Sequence, residues 1–250
     1  MTQDRRKVAL VTGAGRGIGK ATILVLARRG YDVAVHDIDA VSAAETAELA
    51  RECGAAAESY AADVSDAAAM RDVVAALEVR FGGIDVLVNN AGIASDRCPI
   101  ETVTEAMLLR SIAVHVGGTL WTTQAAIPGM KRRKSGRIVN LSSIQGLVGW
   151  TEGATYNAAK GAILALSKGW AKEFAPWNIA VNVVAPGHTE TEMTVRNDPA
   201  ELRAAKAKTI PFRRYAQPEE IGQAIAFLAG DEAAFITGQV LSPNGGFIIT

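Results

Sequence analysis

Cysteine is nearly absent from this sequence: only Cys53 and Cys98 occur among 250 residues. Neither a CxxC pair nor a Cys/His cluster is present, which argues against a disulfide framework and gives no reason to expect a metal. Charge of one sign is also missing. Lys and Arg number 26 and Asp and Glu number 26, so nothing in the balance points to nucleic acid or to a membrane surface. No apolar run is long enough to span a bilayer. The opening MTQDRRKVALVTG is charged and then turns directly into a strand, without the apolar core or cleavage site of a signal peptide. Repeats, linkers and low-complexity blocks are lacking. The one dense basic run, Lys131 to Lys134, precedes Ser135-Gly136 where a helix ends, and reads as a solvated turn favoured by the helix dipole. These absences describe a soluble, cytoplasmic protein folded as a single domain over residues 1–250.

What the sequence does contain is apolar residues, 49% of the chain, enough for a large core. They fall into alternating short apolar runs and longer helical patterns. Strands are expected at Lys7–Thr12, Asp32–His36, Ala56–Ala62 (the weakest), Ile84–Asn89, Arg137–Leu141, Ile179–Val184 and Gln239–Leu241. Helices are expected at Gly17–Arg29, Val41–Cys53, Ala67–Phe81, Thr104–Met130 with an interruption near Gly117-Gly118, Thr155–Phe174 and Glu219–Leu228. Strands separated by helices pair in parallel with helices on both faces. The nearly continuous apolar runs IDVLV and IAVNVV suit strands buried on both sides. The fold class is therefore α/β, a doubly wound parallel sheet of about seven strands.

The first strand runs into Thr12-Gly13-Ala14-Gly15-Arg16-Gly17-Ile18-Gly19, and a helix follows. Glycines there permit a tight turn and close backbone approach to a pyrophosphate, while the helix start offers free N–H groups and a positive dipole end. Such loops also form merely to pack a strand on a helix; the strand-before, helix-after setting favours the dinucleotide. Asp37 closes the second strand about twenty residues on. A carboxylate there accepts hydrogen bonds from ribose hydroxyls and repels a 2′-phosphate, which points to NAD over NADP. Arg16 pulls the other way, since a guanidinium can pair with a phosphate. The bland reading of Asp37 is a turn residue, and that of Asp63 is a cap for the helix after it.

Tyr156 and Lys160 lie four apart on one helix and share a face. A free phenol titrates near 10, and an adjacent ammonium favours the phenolate. So placed, a tyrosine takes a proton from an alcohol or returns one to a carbonyl. Ser143, at the C-terminal end of the fifth strand, can hydrogen-bond the substrate oxygen, whereas Ser142 points away by strand alternation.

Ser143, Tyr156 thirteen residues later and then Lys160, together with TGAGRGIG, Asn89-Asn90-Ala91-Gly92, Pro186-Gly187, Ile236-Thr237-Gly238-Gln239 and Gly245-Gly246, resemble the motifs of the short-chain dehydrogenase/reductase family, in order and over essentially the whole chain. The resemblance implies a three-layer Rossmann-type fold and a nicotinamide cofactor. It implies that Gly13, Arg16, Gly17, Ile18 and Gly19 form the cofactor loop, that Asp63 and Val64 meet the adenine, and that Asn90 and Gly92 line the cleft. Lys160 also binds the nicotinamide ribose, and Pro186, Thr189 and Thr191 surround the nicotinamide. It further implies a homotetramer and a substrate lid near residues 188–216. The apolar tail Gly246-Phe247-Ile248-Ile249 suits burial at a subunit contact or inside the subunit.

The sequence departs from the family in two places. His115 occupies the position of the usual asparagine of the Val-Asn-x-x-Gly pattern, which holds a proton-relaying water near the lysine. Either His115 joins that relay, with a charge that titrates near neutrality, or it is a helix-face histidine beside a water held by backbone. Thr189 stands where an aliphatic residue is common. Gln145, Trp150, His188 and Arg97 are the expected pocket residues. The cations Arg196, Arg203, Lys206, Lys208, Arg213 and Arg214 of the lid either meet an anionic substrate or form a solvated face. The expected function is NAD-linked hydride transfer on a secondary alcohol or ketone, with Tyr156 as general acid/base. The alternatives are an NADPH-dependent 3-oxoacyl thioester reductase and a non-catalytic dinucleotide sensor.

Overall fold

The structure, a computed structural model, describes residues 5–94 and 97–249. The first four residues of the charged N-terminal run lie outside them, as do Ser95, Asp96 and Thr250. Seven strands, β1 (Val8–Thr12), β2 (Asp32–Asp37), β3 (Ala57–Ala61), β4 (Val86–Asn89), β5 (Gly136–Leu141), β6 (Ile179–Val184) and β7 (Val240–Leu241), form one sheet in the order β3-β2-β1-β4-β5-β6-β7. Every pairing is parallel. Strand order reverses between β1 and β4, which opens a crevice at their C-terminal ends, where open α/β sheets bind ligands.

Helices α1 (Gly17–Arg28), α2 (Ala40–Glu52), α3 (Ala67–Phe81), α4 (Glu105–Ile112), α5 (Gly118–Arg133), α6 (Ile144–Val148), α7 (Ala154–Phe174), α8 (Glu192–Asn197), α9 (Ala200–Thr209) and α10 (Pro218–Ala229) cover the sheet and its rim. Successive residues of a strand face opposite ways. Ala9 and Val11 of β1 pack with Ile23 of α1 and Ile221 and Ile225 of α10. Val8 and Leu10 pack on the other face with Leu77 of α3, Met130 of α5 and Phe174 of α7. Both faces of β1 are therefore core, and truncating the fully buried Leu10 to alanine costs about 2–5 kcal/mol.

The sequence reading places every strand and all the larger helices to within a few residues, and the differences have local causes. The interruption expected near Gly117-Gly118 is a π-turn, Ala113–Gly117, joining α4 to α5 without a break in the helical path. A Cβ on Gly118 would lie 2.8 Å from the Val64 side chain, so the helix can run this close to the β3–α3 loop only at a glycine. The cap of α3 is Asp66, which accepts from the backbone N–H groups of Ala68 and Ala69, so Asp63 is not that cap. The stretch after Gly187, polar and weak in pattern, contains α8 and α9. Among the described residues no helix is long and apolar enough to cross a membrane.

Candidate active site

At the crevice the strand ends and the loops above them enclose a cleft of about 710 Å³. One end is made largely of backbone. Gly13 has φ +62°, and a Cβ there would stand 2.7 Å from the Ala91 Cα. Asn90 locks this loop to β4: its amide donates to the carbonyls of Thr12 and Gly13 at 2.9 Å. The Thr12 hydroxyl accepts from the Asn90 and Ala91 amides in return. A Cβ on Gly19 would fall 2.2 Å from the Gly13 carbonyl oxygen, so Gly19 is packed behind the loop and does not line the cleft. No side chain caps the N-terminus of α1, which leaves its first amides free for an anion.

Asp37 accepts from the Gly15 amide at 2.8 Å and the Asp39 amide at 3.0 Å. Both bonds hold the carboxylate at the cleft wall. Arg16 is engaged by Asp39 and, at 3.6 Å, by Glu192, so its charge is already compensated by two carboxylates. Asp63 accepts from Ser65 and faces Arg110 at 3.4 Å, with Val64 beside it in the wall. His36, not anticipated from sequence, also lines this end. Burial pushes its imidazole down to about 4, and neither ring nitrogen has a partner among the described residues.

At the other end Tyr156 and Lys160 rise from one turn of α7, with Ser143 at the start of α6 facing them across the cleft mouth. Surrounding protein pushes the Tyr156 phenol up to about 12, and the neighbouring Ser143 hydroxyl works against that rise. The Lys160 amine donates to the Leu141 carbonyl at 2.8 Å and lies 5.6 Å from the Tyr156 ring centroid. Burial lowers it to about 8. The expected lowering of the phenol by this ammonium is absent: the amine is drawn onto the end of β5, and burial of the phenol dominates. Ser142 does point away, to the Lys160 carbonyl at 2.8 Å.

His115 sits in the π-turn, 2% exposed, edge-on to the Tyr156 ring with centroids 5.3 Å apart. Its Nε2 faces the Ile93 carbonyl at 3.2 Å, while Nδ1 has no partner among the described residues. A Cβ on Gly92 would lie 2.6 Å from its ring, so the glycine makes room for the larger side chain. Burial first, and then the positive charge of Lys160, push His115 down to about 2. The expectation that it titrates near neutrality is not met: burial, and then the Lys160 charge, favour the neutral ring.

Pro186, Thr189 and Thr191 line the same cleft, as do Gln145, Trp150 and His188. Thr191 caps α8, and Thr189 is buried, its carbonyl accepting from Thr194 at 2.8 Å. Of the site residues expected from sequence, all but Gly19 are in the wall. The cations of residues 188–216 meet neither expectation uniformly. Arg203 binds Glu190 at 2.8 Å, Lys206 binds Asp198 at 2.6 Å, Arg214 binds Glu220 at 2.6 Å, and Arg196 lies 3.7 Å from Glu192. Arg213 donates to the Lys208 carbonyl. Phe247 of the tail packs within the subunit against Trp150 and His188, and Ile249 is exposed.

A glycine cradle at a helix start, beside a tyrosine, a lysine and a serine at one cleft, is the arrangement the motifs imply. A family model described as Enoyl-(Acyl carrier protein) reductase matches residues 13–248. The chain belongs to the short-chain dehydrogenase/reductase family. The 3-oxoacyl-(acyl-carrier-protein) reductase FabG of Thermotoga maritima is 39% identical over 97% of this chain and 98% of its own. The cis-4-hydroxycyclohexanecarboxylate dehydrogenase of Sinomonas cyclohexanicum is 41% identical over 96% of each. A crystal structure of levodione reductase superposes with a TM-score of 0.93 at 30% identity, covering 96% of both chains. This short-chain dehydrogenase/reductase is accordingly an oxidoreductase acting on CH–OH groups with a nicotinamide cofactor, and the sensor alternative falls.

Proposed function

We propose that this enzyme is NAD-linked and interconverts a secondary alcohol and its ketone, with residues 1–250 forming one catalytic domain. The observation that carries the reading is the Tyr156–Lys160 turn of α7 beside Ser143, at the mouth of a cleft whose far end is the glycine loop. The loop Gly13–Gly19 and the start of α1 suit a pyrophosphate, and Asp37 suits the adenosine ribose hydroxyls. Asp63 and Val64 flank the adenine, and Asn90, Gly92, Pro186, Thr189 and Thr191 flank the nicotinamide side. NAD, when bound, would supply the hydride acceptor and a cationic ring.

Within that frame Ser143 orients the substrate oxygen and Tyr156 exchanges its proton. Lys160 binds the nicotinamide ribose. His115 acts as a neutral hydrogen-bonding group beside Tyr156, its free Nδ1 able to hold a water toward Lys160. Residues 188–216, with α8 and α9, form the substrate lid, and the enzyme assembles as a homotetramer. Arg16 does not favour a 2′-phosphate, because Asp39 and Glu192 already neutralise it. The test is a panel of secondary alcohols and ketones, with cyclohexanol and hydroxycyclohexanecarboxylates included, scored by the absorbance of the reduced cofactor. Turnover with NAD well above that with NADP is expected; a preference for NADPH sinks the cofactor assignment.

A second reading, an NADPH-dependent reductase of 3-oxoacyl thioesters, draws on the similarity to the Thermotoga protein. The carboxylate of Asp37 disfavours it. The dehydrogenase from Sinomonas, by its name, acts on a ring alcohol, and the aromatic wall of Trp150 and His188 suits such a ring.

A further inference from the structure

Among the described residues, Asp198, between α8 and α9, is the one acidic group in the substrate end of the cleft that is almost wholly buried, its side chain 4% exposed. It is shared by two cations: Arg97 Nη1 at 2.9 Å and Lys206 Nζ at 2.6 Å. These three described residues together carry one positive charge in excess. Lys206 is mostly covered, its side chain 16% exposed, whereas Arg97 is 39% exposed and lines the cleft. Among the described residues only Nη1 of its guanidinium is engaged by a side chain. The remaining N–H groups keep the planar fork that matches a carboxylate.

A second orphan lies close by. His188 lines the cleft, stacks on Tyr215 with centroids 5.1 Å apart and meets Trp150 edge-on at 6.2 Å. Its Nε2 is buried with no partner among the described residues. Burial, and then the Lys206 charge, push the imidazole down, so it offers a neutral polar edge. A buried polar atom without a partner costs free energy unless something that enters the cleft satisfies it. Trp150 and His188 line the cleft with their rings edge-on to each other, backed by Phe247, an angled aromatic corner suited to a compact ring rather than a long flexible chain.

Resting on the proposed function above, we infer that the substrate is a compact cyclic hydroxy or keto acid whose carboxylate is bound by the excess charge of the Arg97–Asp198–Lys206 cluster, with Arg97 as the residue that sets this specificity. Asp198 is a positioning residue: it holds the guanidinium toward the cleft and keeps the net charge low enough for burial.

The test pairs turnover with binding. For turnover, a hydroxycyclohexanecarboxylate is compared with its methyl ester and with a neutral 3-hydroxyacyl thioester. The wild-type enzyme is expected to favour the acid over the ester by ~10–100-fold in kcat/KM, the span of a charge-assisted hydrogen bond. Arg97→Met is expected to collapse that ratio toward one through KM, and Arg97→Lys to restore part of it. For binding, cyclohexanecarboxylate and its methyl ester, which carry no hydroxyl to oxidise, are titrated calorimetrically onto wild type and Tyr156→Phe in the presence of NAD. The acid should bind more tightly to both. Equal use of acid and ester by the wild-type enzyme, or a preference for the thioester, overturns the inference while leaving hydride transfer intact. Tight binding of the acid with no turnover of any alcohol overturns the proposed function and leaves the anion site standing. Arg97→Met with an unaltered acid-to-ester ratio removes Arg97 from the role.

Discussion

The two ends of the cleft are built by different means. The dinucleotide end is backbone: glycines at Gly13 and Gly19 whose missing Cβ atoms are filled by neighbouring main chain, an uncapped helix start, and Asn90 tying one loop to the next. The substrate end is side chain. There an ion-paired cluster joins Arg97 to Asp198 across 101 positions of sequence, and aromatic rings come from three separate segments. Main-chain sites suit what is constant, such as a pyrophosphate. Side-chain sites can be exchanged without disturbing the sheet, which is how one family serves many substrates.

This contrast breaks first at Tyr156, which both ends must serve. Tyr156→Phe should lower kcat by ~10³-fold, with cofactor binding unchanged by fluorescence titration, since only the proton transfer is lost. A variant that keeps its rate would take the chemistry away from the phenol.

The next effect sharpens the dinucleotide end. Asp37→Asn removes the charge and leaves an oxygen able to accept from the Gly15 amide. Relief of like-charge repulsion worth several kcal/mol should raise NADP use relative to NAD by on the order of 100-fold. An unmoved ratio of kcat/KM values would place the discrimination elsewhere.

Gly19→Ala tests whether that end is as rigid as its contacts imply. The added methyl meets a carbonyl at 2.2 Å, so the loop must shift. Overpacking should cost about 3 kcal/mol, seen as a lower denaturation midpoint together with weakened cofactor binding. A variant as stable as wild type would show that the loop yields.

The smallest effect concerns the substrate end and pH. His115 is neutral in the folded chain down to about 2 but protonates near 6.5 when unfolded. Between those values the unfolded state binds more protons, so this stability is complete above pH 6.5 and is lost as pH falls. At pH 5 the loss is about 2 kcal/mol. His115→Asn should therefore lose about that much less than wild type between pH 7 and 5 in urea denaturation. Parallel pH dependence in the two proteins would mean His115 is not held neutral. The pH–rate profile of the same variant checks its place beside Tyr156: an identical profile and rate would remove it from proton movement.

The sequence alone determined the order of strands and helices, the parallel sheet, the cradle at Gly13–Gly19 and the grouping of Ser143, Tyr156 and Lys160. The elements, the cradle and the Tyr156–Lys160 pair follow from near neighbours: period-two and helical patterning, a glycine-rich turn between strand and helix, and residues one turn apart; Ser143 joins them through the resemblance to the family's motif. Only the tertiary structure decided the charge state of His115, the pull of Leu141 on Lys160, the compensation of Arg16 and the burial of Asp198 between two cations. Each depends on desolvation and on partners brought together by packing, and neither the depth of a group nor the identity of a distant ion partner is written in the residues beside it.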